Sequence, residues 1–201
     1  MKQFPKVRAR ARARFREACV PALVVSVAAL VLNFAAAIIS PAAASDSGSL
    51  ANDAVIDGPT SEIWRLITTK DGMESWIVPH AEIDLRAGGL MRTIHDPNGK
   101  IGDPGTVTNR ILAVIPRRLL SLQVAGAPEA FPFTQSVKGT WYEIYLDPLP
   151  RGQTRVRCVG HGFGNGPMDF AARAFVDRAN VWALGHLQKV FADRKDRRAM
   201  E

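Results

Sequence analysis

The four histidines are the first residues to weigh for chemistry, because an imidazole can bind a metal ion or move a proton near neutral pH. They are His80, His95, His161 and His186. No two of them are four residues apart, and neither an H-E-x-x-H motif nor the paired cysteines and histidines of a zinc site occur. We therefore expect no metal site and no cofactor. For His161 two interpretations stay open, a loop position in solvent or a place at the mouth of a pocket.

Carboxylates, hydroxyls and glycines offer no catalytic pattern either. Glu82, Asp84 and Glu143 are predicted to lie on the solvent faces of strands, so no carboxylate pair is expected for acid–base catalysis. No G-x-S-x-G motif is present. The glycine-rich segment 160–166 precedes a helix, but it lacks the lysine and the βαβ context of a phosphate-binding loop, so it predicts backbone curvature. These residues do not favour covalent chemistry, although an enzymatic role stays open.

Apolar and aromatic side chains favour a different function, the binding of an apolar small molecule in a cavity. Their alternation along the predicted strands places one set on the inner face of a sheet. The predicted lining is Ile83, Leu122, Tyr142 and Ile144 on the sheet, Phe175 and Trp182 as a roof on the last helix, and Trp76 as a side wall. The hydroxyl of Tyr142 would supply one polar anchor.

Positioning these side chains requires a sheet, and the sequence predicts one of about six antiparallel strands. A short first strand from Ala54 stops at Pro59. Two helical segments follow, the first with Thr60 as its N-cap and the second over residues 71–76. The strand run is then predicted over 81–86, 90–95, 106–115, 118–124, 140–146 and 154–163.

A long helix is predicted to close the chain. Pro167 suits the first helical position, and residues 168–192 carry an apolar stripe of Ala171, Phe175, Trp182 and either Leu187 or Phe191. Residues 193–201 are predicted to be a charged, frayed tail. The order of strand, short helices, strand run and long helix indicates an α+β domain in which a curved sheet wraps around the last helix.

The charge of the chain is unevenly distributed. The formal net charge is +7, but residues 1–44 carry seven basic residues and one acid, which leaves 19 basic against 18 acidic side chains in residues 45–201. A near-neutral domain lacks the electrostatic footprint of a nucleic-acid-binding protein. We therefore expect no nucleic-acid partner.

Residues 1–44 resemble a targeting segment. Basic residues precede an apolar run over 20–39, and Ala42-Ala43-Ala44 resembles a signal-peptidase site. The run is also close to the roughly 20 residues that span a bilayer. A cleaved signal peptide and an uncleaved membrane anchor therefore both stay open, and either predicts an exported or membrane-anchored protein. A linker is expected over 45–53 and the domain over 54–192. Cys158 is the one cysteine of residues 45–201 and is interpreted as a buried strand thiol.

Several short segments of the domain, taken in order, resemble a known family. They are 60–64 (TSEIW), 68–72 (TTKDG), 76–79 (WIVP), 83–89 (IDLRAGG), 96–99 (DPNG), 105–107 (GTV) and 153–156 (QTRV). Together they resemble START-like SRPBCC domains, within them the group related to the activator of heat-shock-protein-90 ATPase and to polyketide cyclase-like proteins. The resemblance implies a helix-grip fold with a pocket under the C-terminal helix. Related members bind lipids, sterols, polyketides or plant hormones, and some are cyclases.

The first functional hypothesis is therefore the binding or carriage of a hydrophobic molecule such as a lipid, polyketide or aromatic compound. A protein-interaction or chaperone-like module is an alternative, which predicts a filled interior and an exposed apolar patch. An enzyme of the polyketide cyclase or aromatase type is a further alternative, which predicts a polar group with a perturbed pKa inside the cavity. The sequence leaves the ligand and the oligomeric state open.

Overall fold

A computed structural model describes residues 49–200, which belong to one compact unit. The predicted leader, residues 1–44, lies outside the described residues, as do residues 45–48 of the predicted linker. Among the described residues, no helix combines the length and the apolar character that crossing a membrane requires.

One antiparallel sheet forms the centre of the domain. Between residues 49 and 200 it contains seven strands, where about six were expected, in the spatial order β1-β7-β6-β5-β4-β3-β2. The strands are β1 (Leu50–Ile56), β2 (His80–Ile83), β3 (Leu90–Ile94), β4 (Val107–Ile115), β5 (Leu119–Gly126), β6 (Trp141–Pro148) and β7 (Thr154–His161). The predicted α+β class and antiparallel sheet are thus confirmed.

The first strand begins earlier than predicted. Residues 50–53, expected in the linker, pair with β7 in continuous register from Leu50 opposite Gly160. Leu50 and Ile56 are buried, whereas the polar Asn52 and Asp53 between them hide the alternation in the sequence. Pairing with β7 therefore extends a strand that the local pattern did not reveal.

In the described residues four α-helices accompany the sheet, namely α1 (Thr60–Thr68), α2 (Lys70–Glu74), α3 (Thr134–Val137) and α4 (Pro167–Met200), together with a short 3-10 turn over Pro150–Gly152. The prediction of Thr60 as N-cap is wrong, because Pro59 holds that position with an extended backbone and Thr60 is the first helical residue. The Pro59 carbonyl oxygen accepts hydrogen bonds from the N–H groups of Glu62 and Ile63, at 3.1 and 3.3 Å. The backbone thus starts this helix without a side-chain cap.

The charged segment after residue 192 is helical rather than frayed. Helix α4 continues to Met200, which includes most of the predicted tail 193–201. Lys195 Nζ lies 2.6 Å from Asp57 Oδ2, and Arg194 Nη1 lies 3.9 Å from Glu62 Oε2. These ion pairs connect the end of α4 to Asp57, just after β1, and to Glu62 in the first turn of α1. Such tertiary contacts cannot be read from the local sequence.

Within the part of the chain that the structure describes, two groups of buried side chains form the core. The first joins α1 and the C-terminal half of α4 to β1, β6 and β7, and contains Ile56, Ile63, Leu66, Ile67, Leu146, Val156, Leu184, Leu187 and Phe191. The second lies on β3, β4 and β5 and contains Met91, Ile111, Leu120 and Leu122. Trp64 and Ile144 pack against both groups and connect them.

Candidate functional site

The floor of the candidate site is the face of the sheet that is turned toward α4. One row across this face consists of Leu122 on β5, Tyr142 on β6 and Gly160 on β7, paired strand to strand. Leu122 is buried, while Tyr142 is half-buried. Gly160 has no side chain, and the space above it is taken by the buried side chains of Phe163 and Leu50, which lie 3.4 and 3.6 Å from the position that a Cβ would occupy.

Tyr142 lies deep in the fold, but part of its surface remains accessible to solvent. Burial, with a smaller effect of Cys158, raises the pKa of its phenol far above the ordinary value, so the hydroxyl stays protonated. Yet the side chain keeps some accessible surface, and its hydroxyl has no hydrogen-bond partner among residues 49–200. A desolvated but reachable and unpartnered hydroxyl is the property expected of a group that lines a hollow.

The next row of the floor contains Ile144, Cys158 and Asn52 on β6, β7 and β1. Cys158 is half-buried, and burial raises the pKa of its thiol to about 11. The thiol is therefore protonated at neutral pH, which does not suit a nucleophile. The sequence-based interpretation of Cys158 as a strand thiol agrees with its place on β7.

A polar clasp joins this floor to α4. The side-chain amide of Asn52 donates a hydrogen bond to Asp177 Oδ1 at 2.8 Å, and the Asn180 amide donates to Asn52 Oδ1 at 3.1 Å. All three side chains are half-buried. The sequence does not reveal this clasp, because Asn52 lies in the predicted linker and Asp177 and Asn180 resemble any other polar residues of a helix.

The roof of the site differs from the prediction. The side chains of α4 that pack with the sheet in the first core group are Leu184, Leu187 and Phe191, which are all buried. Phe175 and Trp182 are 40% and 59% exposed, so neither forms a roof over the floor. Successive helical residues turn by about 100°, which places Phe175 about 120° away from Leu187 around the helix axis. The predicted stripe combined residues from two sides of the helix.

Phe175 and Trp182 belong instead to two aromatic groups along one flank of α4. Phe175 packs against Phe131 and Phe133 of the β5–β6 connection, with ring centroids 5.2 and 5.9 Å away.

The second group consists of Trp182, His186 and Trp76. The His186 ring stacks between the two indoles, at centroid distances of 5.3 Å to Trp182 and 6.0 Å to Trp76. His186 Nε2 also donates to the Trp76 carbonyl oxygen at 2.8 Å. This flank thus brings three of the predicted site residues, Trp76, Phe175 and Trp182, to the side of the helix rather than beneath it.

The remaining predicted residues divide between the core and the floor. Leu122 belongs to the second core group, Ile83 packs against it, and Ile144 contacts both groups. Ile83 also borders a surface pocket of about 450 Å³ beside β2 and β3, among charged side chains such as Arg86 and Arg92. Another pocket, of about 320 Å³, lies between the segment after β1 and the end of α4. Neither pocket contains Tyr142. The candidate site is therefore defined by the side chains on the inner face of the sheet and not by a surface pocket.

His161 lies in neither of the two predicted environments. It is the last residue of β7, where Nε2 donates to Glu143 Oε2 at 2.8 Å and the ring stacks on Trp141 at 5.3 Å. The register pairs His161 with Trp141, on the face opposite to Tyr142. The pair therefore lies away from the candidate site. Within residues 49–200 no three His, Cys, Asp or Glu side chains are grouped so that they could hold a metal ion.

The sheet gripping a long C-terminal helix defines a START-like helix-grip domain. A family model, described as activator of Hsp90 ATPase homolog 1-like protein, matches residues 57–174. The chain belongs to this family. The resemblance read from the sequence is thus confirmed, and it includes a relation to polyketide cyclase-like proteins of the same fold. No curated protein sequence gives a significant match.

Solved structures show the same fold. Protein MLL2253 from Mesorhizobium loti is similar with a TM-score of 0.58 and 20% identity, over 73% of this chain and 97% of that chain. The Aha1 dimer from Colwellia psychrerythraea gives 0.56 and 20%, over 71% and 95%. DynU16, from the dynemicin biosynthetic locus, gives 0.54 and 14%, over 72% and 47%. At these identities the likeness shows the fold alone, and in the first of them this fold accounts for nearly the whole protein.

Proposed function

We propose that the domain binds a hydrophobic small molecule, of the lipid, polyketide or aromatic class, between the sheet and α4. The observation that carries the proposal is Tyr142, whose hydroxyl is desolvated, partly accessible and without a partner in the described part of the chain. Because this hydroxyl is not among the fully buried unpaired atoms of residues 49–200, either water or a bound molecule completes its hydrogen bonding. A carbonyl or hydroxyl oxygen of the ligand would do so.

The surroundings of Tyr142 set the character of the ligand. Leu122 and Ile144 provide apolar walls, and the protonated Cys158 thiol adds a weakly polar one. Such a lining favours a largely apolar molecule with one oxygen acceptor, because the polar side chains of the neighbouring row, Asn52 with Asp177 and Asn180, are already hydrogen-bonded to one another. This composition supports binding rather than catalysis.

The first experiment is native mass spectrometry of residues 45–201, purified from a host with abundant membrane lipid and followed by organic extraction. This fragment contains the whole described fold, and in the Mesorhizobium loti protein the same fold is nearly the entire chain. We expect a stoichiometric apolar adduct. A clean apo mass, together with no thermal stabilisation by a panel of lipids and aromatic compounds, would overturn the proposal and favour a protein-binding role.

Tyr142→Phe tests the anchor itself. We expect the ligand affinity to fall by about twofold to tenfold, the usual value of one net hydrogen bond, with the fold unchanged. Tyr145→Phe is the matched control, since Tyr145 lies on the other face of β6 against Arg157. Equal affinities of the Tyr142 variant and the wild type would remove Tyr142 from the site.

We further propose that the protein acts outside the cytoplasm, exported or anchored through residues 1–44. The support is the sequence of that segment, a basic stretch followed by an apolar run over 20–39 and small residues. Membrane fractionation of the source cell, with an immunoblot comparing the mature and full-length sizes, tests it. A full-length protein in the cytosolic fraction would overturn it.

A further inference from the structure

Three large apolar side chains form a stripe along one side of α4. Met168, Phe175 and Trp182 are spaced seven residues apart, and they are 53%, 40% and 59% exposed. Seven residues are nearly two helical turns, so the three side chains stand in line over a length of roughly 20 Å. Large apolar groups aligned on a surface mark a contact with something that is not water.

The charges on this side of the helix are basic. Lys189 continues the seven-residue spacing, and Arg178 lies one turn before Trp182, with both side chains exposed. The acids of this part of α4 are engaged elsewhere, Asp169 with the Gly166 N–H at 2.9 Å and with Ser136, and Asp177 with Asn52 of the sheet. Trp182 therefore lies between Arg178 and Lys189 along the helix, and Lys189 continues the line of the stripe.

The rings of the stripe are supported from behind. Phe175 rests against Phe131 and Phe133, and Trp182 stacks on His186. Held in place in this way, the rings lose little conformational entropy on meeting a partner. The family model ends at residue 174, so Phe175, Trp182 and Lys189 lie beyond the matched residues.

We propose that this stripe docks the domain on an anionic lipid bilayer. Trp and Phe insert into the interfacial region, and nearby Lys and Arg side chains pair with anionic headgroups, which is the pattern of helices that lie in a membrane surface. A second copy of the chain fits the stripe less well. With the stripe at the a positions of a helix pair, the d positions would include Arg178 and Gly185, where a stable coiled coil needs apolar residues. With the stripe at the d positions, the a positions would include Ala172, which is already buried, and His186, which is stacked between Trp76 and Trp182. The inference does not depend on ligand binding at Tyr142.

The test is co-sedimentation of residues 45–201 with two kinds of vesicle. One contains phosphatidylcholine alone, and the other contains phosphatidylcholine with about 30% anionic phosphatidylglycerol. We expect binding to the anionic vesicles that weakens as salt is raised. Trp182→Ser should lower the affinity by about tenfold, and Lys189→Glu by about fivefold or more. Brominated lipids should quench tryptophan fluorescence in the wild type and much less in the Trp182 variant.

Val181→Ser is the matched control. Val181 is 58% exposed on the same helix but points away from the stripe, so its loss should leave vesicle binding unchanged. Equal losses in both variants, or no binding of the wild type to anionic vesicles at low salt, would overturn the proposal. Sedimentation equilibrium without lipid tests whether a second copy of the chain binds the stripe instead. A dimer that Trp182→Ser dissociates would assign the stripe to a second copy.

Discussion

At the scale of single residues, the site depends on groups that are deep in the fold and still protonated. Tyr142 and Cys158 lie in adjacent rows of the floor, and burial raises the pKa of both. The protonated thiol beside the protonated phenol keeps the floor uncharged at neutral pH. An apolar ligand requires an uncharged floor, because the ligand carries no charge that could pair with a buried charge of the protein.

The raised pKa of Cys158 predicts a pH-dependent stability. The thiol titrates near 9.0 when unfolded and at about 11 when folded, so between these values the unfolded chain loses its proton first. Stability should therefore fall as pH rises, by about 1 kcal/mol between about pH 8 and 10. Urea unfolding at each pH measures this. Cys158→Ala should show a smaller decline over the same range, and equal declines would contradict the assignment.

At the scale of elements, side chains of neighbouring helices cover both edges of the sheet. Glu74 of α2 accepts a hydrogen bond from the Ala81 N–H of β2 at 2.9 Å. Gln188 of α4 donates to the Val55 carbonyl oxygen of β1 at 3.0 Å. Strand edges with unpaired backbone groups invite pairing with other chains, so these contacts protect the domain from aggregation. Helix α4 is thus held at the β1 edge both by Gln188 and by the Asn52 clasp.

The clasp predicts how firmly α4 is held. Asn52→Ala removes two hydrogen bonds and should lower the free energy of unfolding by about 1–2 kcal/mol. Asn52→Asp should cost more at neutral pH, because it loses the donor and sets a second carboxylate against Asp177. Chemical denaturation measures both. Asp53→Ala, on the opposite face of β1 and 61% exposed, should change little. If Asn52→Asp proves no more destabilising than Asn52→Ala, the clasp is refuted.

At the scale of the whole molecule, two core groups are united by very few side chains. Ile144 lies between them and contacts both. Ile144→Ala should therefore cost about 2–4 kcal/mol while a single cooperative transition persists. Thermal and urea unfolding followed by both fluorescence and circular dichroism test this. Ile115→Ala, 53% exposed on β4, is the control and should cost under about 0.5 kcal/mol. Separate transitions for the two probes would show that the core groups unfold independently.

Much of the fold was predictable because its signals are local. Alternating apolar residues indicated every strand from β2 to β7 to within a few residues, and Pro167 marked the start of α4. Local signals did not predict the secondary structure of segments that are held in place by residues distant in the sequence. Leu50 joins the sheet because β7 offers it a partner, and residues 193–200 stay helical where Arg194 and Lys195 reach back to Glu62 and Asp57.

The class of domain, its family resemblance and the inward position of Leu122, Tyr142 and Ile144 follow from the sequence alone, because side chains alternate along a strand with a period of two and so share one face. The rotation of α4, in contrast, depends on tertiary packing. A helix rich in alanine and aromatic residues has several apolar directions, and the sheet selects one of them by packing against Leu184, Leu187 and Phe191. That selection buried one side and turned Phe175 and Trp182 toward the surface.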